Sequence, residues 1–167
     1  MGLIANTTVI SNFAAVGHLD LLRQLLGEVY LATEVYAEIQ DGLAEGNDFY
    51  AGIETHVHPL TPQGWLRLTS LEGDAELLVF GQLTESLHRG EAASLAIATQ
   101  RGWAFFTDDA RARKIGRDLK VTISGTLGLL VQAVKRQLLS LDEANALLAQ
   151  MMRAGYYAPT TDLAGFM

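Results

Sequence analysis

Short apolar runs separated by amphipathic stretches recur along this chain, and that alternation constrains its fold more than any other feature. Leu3–Ala5, Val29–Ala32, Trp65–Leu71, Trp103–Thr107 and Val121–Ser124 read as strands, each flanked by segments with helical spacing of apolar residues. After the first run, Asn6-Thr7-Thr8 offers N-cap residues to a helix carrying Val9, Ile10, Phe13 and Ala14. His18–Leu26 predicts a second helix ended by Gly27, and Thr33 caps a third that carries Val35, Tyr36 and Ile39, with Glu38 among them. Asp74–Leu87, Gly90–Arg101, Ala110–Leu119, Gly125–Leu139 and Leu141–Ala154 predict further helices. Asp41–Gly64, with its glycines and two prolines, reads as a loop or an irregular helical insertion. Short apolar strands separated by helices mean parallel βαβ units, with the sheet buried between helical layers.

The 167 residues suffice for a single core. The organisation expected is a body over residues 1–139, with a C-terminal helix and tail over 140–167 packed on it or on a partner. The chain has no cysteine, which excludes a disulfide scaffold, thiolate zinc sites and cysteine nucleophiles. A net charge of −7 excludes a general nucleic-acid coat, so any polyanion must be met by a local patch. No apolar run reaches the length of a membrane span and the N-terminus lacks a basic leader, so we expect a cytoplasmic protein with no membrane partner.

In a parallel sheet, ligands sit at the carboxyl ends of the strands. The polar residues placed there are Asn6, Glu38 on the helix after the second strand, Glu91 at a helix start, and Asp108 and Asp109. Brought together, such carboxylates suit Mg²⁺ or Mn²⁺, which prefer oxygen ligands and can activate a water for phosphodiester hydrolysis. Each also has a plain role: Glu91 is favoured by a helix dipole, and Asp108-Asp109 can cap the helix from Ala110. Arg111, Arg113, Lys114, Arg117 and Lys120 are five of twelve Lys and Arg, and they follow directly after Asp109. Arg113, Lys114 and Arg117 fall near one helix face and suit phosphate positioning; Arg111 is a fourth candidate. Left as a solvated face, they have Asp118 as partial neutraliser. His56-Val57-His58 has a spacing that some metal sites use, but no further histidine lies close.

Asn6-Thr7-Thr8-Val9-Ile10-Ser11-Asn12-Phe13, Val35-Tyr36-Ala37-Glu38-Ile39, Gly90-Glu91-Ala92-Ala93-Ser94-Leu95-Ala96, Phe105-Phe106-Thr107-Asp108-Asp109 and Ile123–Leu130 resemble, in order, the blocks of PIN-domain proteins. The likeness is to the PIN-like branch of small prokaryotic proteins related to VapC-type toxins, over roughly residues 3–139. It implies a three-layer α/β/α sandwich with a central parallel sheet. It also implies an endoribonuclease dependent on Mg²⁺ or Mn²⁺, often a toxin with an antitoxin partner, with a homodimer as working unit. The second, third and fourth family acids fall on Glu38, Glu91 and Asp109, with Asp108 as the rival for the fourth. Asn6 stands where the first acid is usual, a neutral ligand with Thr7 or Thr8 to orient it. That departure carries an alternative: an impaired PIN-like module that binds RNA or protein. A receiver-type signalling domain shares the alternation, but there the acidic pair follows the first strand, where this chain has Asn6-Thr7-Thr8.

Overall fold

The computed structural model describes residues 1–167. Six strands form one parallel sheet in the order β3-β4-β2-β1-β5-β6, with β1 Leu3–Ala5, β2 Val29–Ala32, β3 Val57–His58, β4 Leu66–Thr69, β5 Ala104–Phe106 and β6 Ile123–Ser124. The helices are α1 Thr7–Ala15, α2 Leu19–Leu26, α3 Thr33–Ala44, α4 Gly73–Leu83, α5 Arg89–Arg101, α6 Ala110–Asp118, α7 Thr126–Lys135 and α8 Leu141–Arg153. Contacts group α1, α2, α7 and α8 in one layer and α3, α4, α5 and α6 in the other. The three-layer α/β/α sandwich expected from the sequence is therefore the fold. No helix is long and apolar enough to cross a membrane.

The strands are short and apolar because both faces are covered; Ile4, Ala5, Val29, Leu31, Leu66 and Phe105 are fully buried. Gly27 ends α2 with φ of +70°, a conformation a side chain resists. Three local expectations are corrected. The insertion after Asp41 holds two 3₁₀ turns and, beyond a loop or irregular helix, the edge strand β3. Thr33 is the first residue of α3 rather than its cap, and its hydroxyl donates to Glu34. The helices predicted to reach Leu87 and Leu139 stop at Leu83 and Lys135. Helix α8 packs on α7 and α1 through Ala144, Leu147, Leu148 and Met151, and the tail returns Leu163 to the core.

From β1 the chain moves outward through β2 to the edge strand β3, returns to lay β4 between those two, then crosses back to place β5 on the other side of β1. The switch point therefore lies between β1 and β5, paired in register from Leu3↔Ala104 to Ala5↔Phe106. Asn6 and Thr107 leave the sheet side by side.

Candidate active site

Asn6 is 1% exposed and wholly engaged. Its Oδ1 accepts from the Thr7 N–H at 2.7 Å, capping α1, and its Nδ2 donates to Thr107 Oγ1 at 3.1 Å. The amide also donates toward the Glu91 carboxylate. Glu38, on α3, is held at both oxygens: Oε2 accepts from Thr7 Oγ1 at 2.5 Å and Oε1 from the Gly90 N–H at 2.9 Å. A Cβ on Gly90 would lie 2.5 Å from Glu38 Oε1, so the glycine lets α5 approach this carboxylate in the position it holds.

Glu91 occupies the first turn of α5, 7% exposed, and closes a capping box by accepting from the His88 N–H at 3.3 Å. Burial pushes its carboxyl pKa up, and the Asp109 carboxylate adds to the rise; the His88 N–H, the His88 charge and the Asn6 amide act against it. Asp109 caps α6, its Oδ1 accepting from the Ala112 N–H at 2.8 Å, while its own N–H donates to Thr107 Oγ1 at 3.2 Å. The Thr107 hydroxyl thus accepts from both Asn6 and Asp109 and locks the two strand exits together.

Asp108 turns the other way, toward α1 and α7. Its Oδ2 accepts from Asn12 Nδ2 at 2.9 Å and from the Thr126 hydroxyl, its Oδ1 accepts from the Thr126 N–H at 2.7 Å, and its N–H donates to Thr8 Oγ1. Burial raises its pKa, and the bonds from Thr126 and Asn12, with the Arg113 charge, oppose the rise. A Cβ on Gly125 would collide with Asp108 and Arg113, which accounts for the glycine ahead of α7.

The basic residues disperse. Arg113 donates to the Thr107 carbonyl at 2.9 Å and lines a cavity of about 800 Å³ with Arg117, which makes no hydrogen bond or ion pair. Arg111 donates instead to the Ser86 carbonyl, and Lys114 stays in solvent away from the cavity. His56 Nδ1 accepts from Trp65 Nε1, and buried His58 Nδ1 has no partner; neither joins a cluster of acidic or histidine side chains.

Residues beyond the sequence motifs complete the neighbourhood. Tyr50, from the insertion, is buried beside Ser11 and Glu38, and burial raises its phenol pKa. Tyr156, after α8, sits against Asp108 and Arg113, and burial raises its pKa strongly. Neither lies in a motif; the one local signal for Tyr50 is Gly42, whose missing Cβ would meet its ring at 3.1 Å.

The structure thus gathers Asn6, Glu38, Glu91 and Asp109 around one end of the sheet. No three Asp, Glu or His side chains converge tightly enough to hold a metal as they stand. Their chemistry nonetheless suits a hard divalent cation: Glu38, Glu91 and Asp109 make no ion pair with any Lys or Arg, and burial, with the Asp109 charge second, disfavours the Glu91 carboxylate, a cost that a cation would relieve.

No curated protein matches this chain in sequence. Among solved structures it is similar to the "Crystal Structure of FitAcB from Neisseria gonorrhoeae", with a TM-score of 0.49 and 18% identity over 73% of this chain and 96% of that one. The family model described as "DUF3368: PIN domain" matches residues 2–166, almost end to end. With the sheet order and the residues at its switch point, that match settles the family: the chain is a PIN-domain protein.

Proposed function

We propose that this protein is a metal-dependent nuclease that hydrolyses RNA phosphodiester bonds. The observation that carries the reading is the buried Glu91 carboxylate facing Asp109 with no basic side chain paired to either. Glu38, Glu91 and Asp109 would hold Mg²⁺ or Mn²⁺, beside Asn6. When bound, the ion would activate a water and steady the charge that builds on the phosphate. Thr7 and the Gly90 N–H hold Glu38 in place before any ion arrives. Thr107 fixes the spacing of Asn6 and Asp109, and the Asp109 bond to Ala112 sets that carboxylate at the start of α6. Arg113 and Arg117 line the cavity that Asp109 also lines, and would serve phosphate positioning. The likeness to VapC-type toxins supports a toxin role with an antitoxin partner and a homodimeric working unit. The test is cleavage of single-stranded RNA with Mn²⁺. Glu91→Gln and Asp109→Asn should each lower the rate about 100-fold or more; wild-type rates in both overturn the assignment.

A second reading, a binding module without turnover, is favoured by one observation. The Asn6 carbonyl oxygen is taken by its own helix, and the amide presents N–H rather than oxygen to Glu91. Asn6→Asp discriminates: cleavage that appears only in this variant identifies the natural chain as the binding module.

A further inference from the structure

A cavity lies beside the acid cluster. It has a volume of about 800 Å³, inside the range of roughly 300–1,000 Å³ typical of ligand sites. It opens directly beside the proposed centre, because Asp109 lines it and faces Glu91 as well. Its outer wall is the segment Gly155–Pro159 after α8. There Tyr156 is held inward against Asp108 and Arg113, while Tyr157 is 96% exposed at the rim, an aromatic ring with nothing packed on it.

The charge on the lining says what kind of ligand fits. Arg113 and Arg117 balance Asp108 and Asp109, so this is no general polyanion trap. Arg113 already gives one N–H to the Thr107 carbonyl and lies beside Asp108, which Asn12 and Thr126 hold. Arg117 keeps its whole guanidinium fork free. One free fork matches one phosphate group, and one free aromatic face matches one base. A paired base has its faces covered by its neighbours in the stack, so only an unpaired nucleotide can use both.

Resting on the nuclease reading for its place beside the centre, we propose that this cavity binds one unpaired nucleotide of single-stranded RNA flanking the cleaved bond, with the base stacked on Tyr157 and its phosphate on Arg117.

The experiment measures fluorescence anisotropy of a labelled single-stranded RNA octamer without metal, and cleavage of the same octamer with Mn²⁺. Tyr157→Ala and Arg117→Ala should each weaken binding about tenfold and raise KM with little change in kcat. Tyr157→Phe, which keeps the ring, should bind within about twofold of wild type. A blunt duplex of the same sequence should not compete. Tyr157 and Arg117 are both exposed, so these substitutions leave the packing intact. Wild-type binding and KM in both alanine variants overturn the proposal, and if Glu91→Gln still abolishes cleavage the nuclease reading survives that failure. Binding that depends on Tyr157 and Arg117 in a wild type that cleaves nothing supports the nucleotide site and removes the nuclease reading instead.

Discussion

Two adjacent aspartates with different duties show how much one residue's position decides. Asp108 gathers donors from α1 and α7, whereas Asp109 spends one oxygen on a cap and turns its charge toward Glu91. Asp108→Asn places an amide N–H₂ against the Asn12 amide or the Thr126 donors, and should cost roughly 2–4 kcal/mol of stability. Asp109→Asn keeps the capping oxygen and should cost under about 1 kcal/mol, while removing metal-dependent cleavage. Urea denaturation of both variants checks the pair; equal losses would show that Asp108 is not the structural member. At Asn6 the forces run differently. Asn6→Asp retains the cap on Thr7 but loses the donor to Thr107 and adds a negative charge near Glu91. Without metal it should be less stable by about 1–3 kcal/mol, and it should bind Mn²⁺ about tenfold more tightly. Melting curves with and without Mn²⁺, beside calorimetry, report both effects.

Between elements, the closest constraint is the meeting of α3 and α5 at Gly90. An added Cβ there meets only the tip of the Glu38 side chain, which can swing aside. Gly90→Ala should therefore leave the fold within about 1 kcal/mol of wild type yet lower cleavage, because Glu38 loses the Gly90 N–H. A melting temperature near wild type with a reduced rate confirms it; an unchanged rate shows that Glu38 need not be held there. The elements differ in how far the sequence announces them. The β1–α1 and β5–α6 junctions are legible because apolar strands end abruptly in polar caps, and those junctions carry Asn6 and Asp109. The stretch 41–64 is not, because 3₁₀ turns have no sustained period and β3 has only two residues. The division of labour between Asp108 and Asp109 is equally hidden, since which neighbour points to which layer depends on the register of β5 beside β1. Tyr157 escapes for another reason: an exposed tail residue has no pattern until the cavity behind it exists.

For the whole molecule, charge sets the response to pH and salt. Glu91 and Asp108 have raised pKa values in the folded state, so the stability they add is full below their unfolded values and is lost as pH rises through the folded ones. Glu76 is lowered by the hydrogen bonds from Arg101, and its contribution is lost as pH falls through its folded value. Glu91→Gln should thus be more stable than wild type near pH 7, with the gap closing toward about pH 4. Urea midpoints across that span test the sign, and a gap that widens in acid refutes it. With a net charge of −7 and two guanidinium groups on the cavity, RNA affinity should fall gently with salt, with a log–log slope of about −1 to −2. A much steeper slope would place the strand on a wider basic surface. The pairing of β1 with β5, Ala5 opposite Phe106, bears finally on how this protein can change over generations. A deletion of one residue within β5 carries Asp109 into the place of Asp108, and an insertion carries Asp108 into the place of Asp109. Either event leaves one of the two duties unfilled while every buried side chain of the strand changes face. Point replacements reach them one at a time. A library of single-codon deletions should therefore be empty across Ala104–Asp109 even where substitutions survive, so that this stretch varies by spelling and never by length.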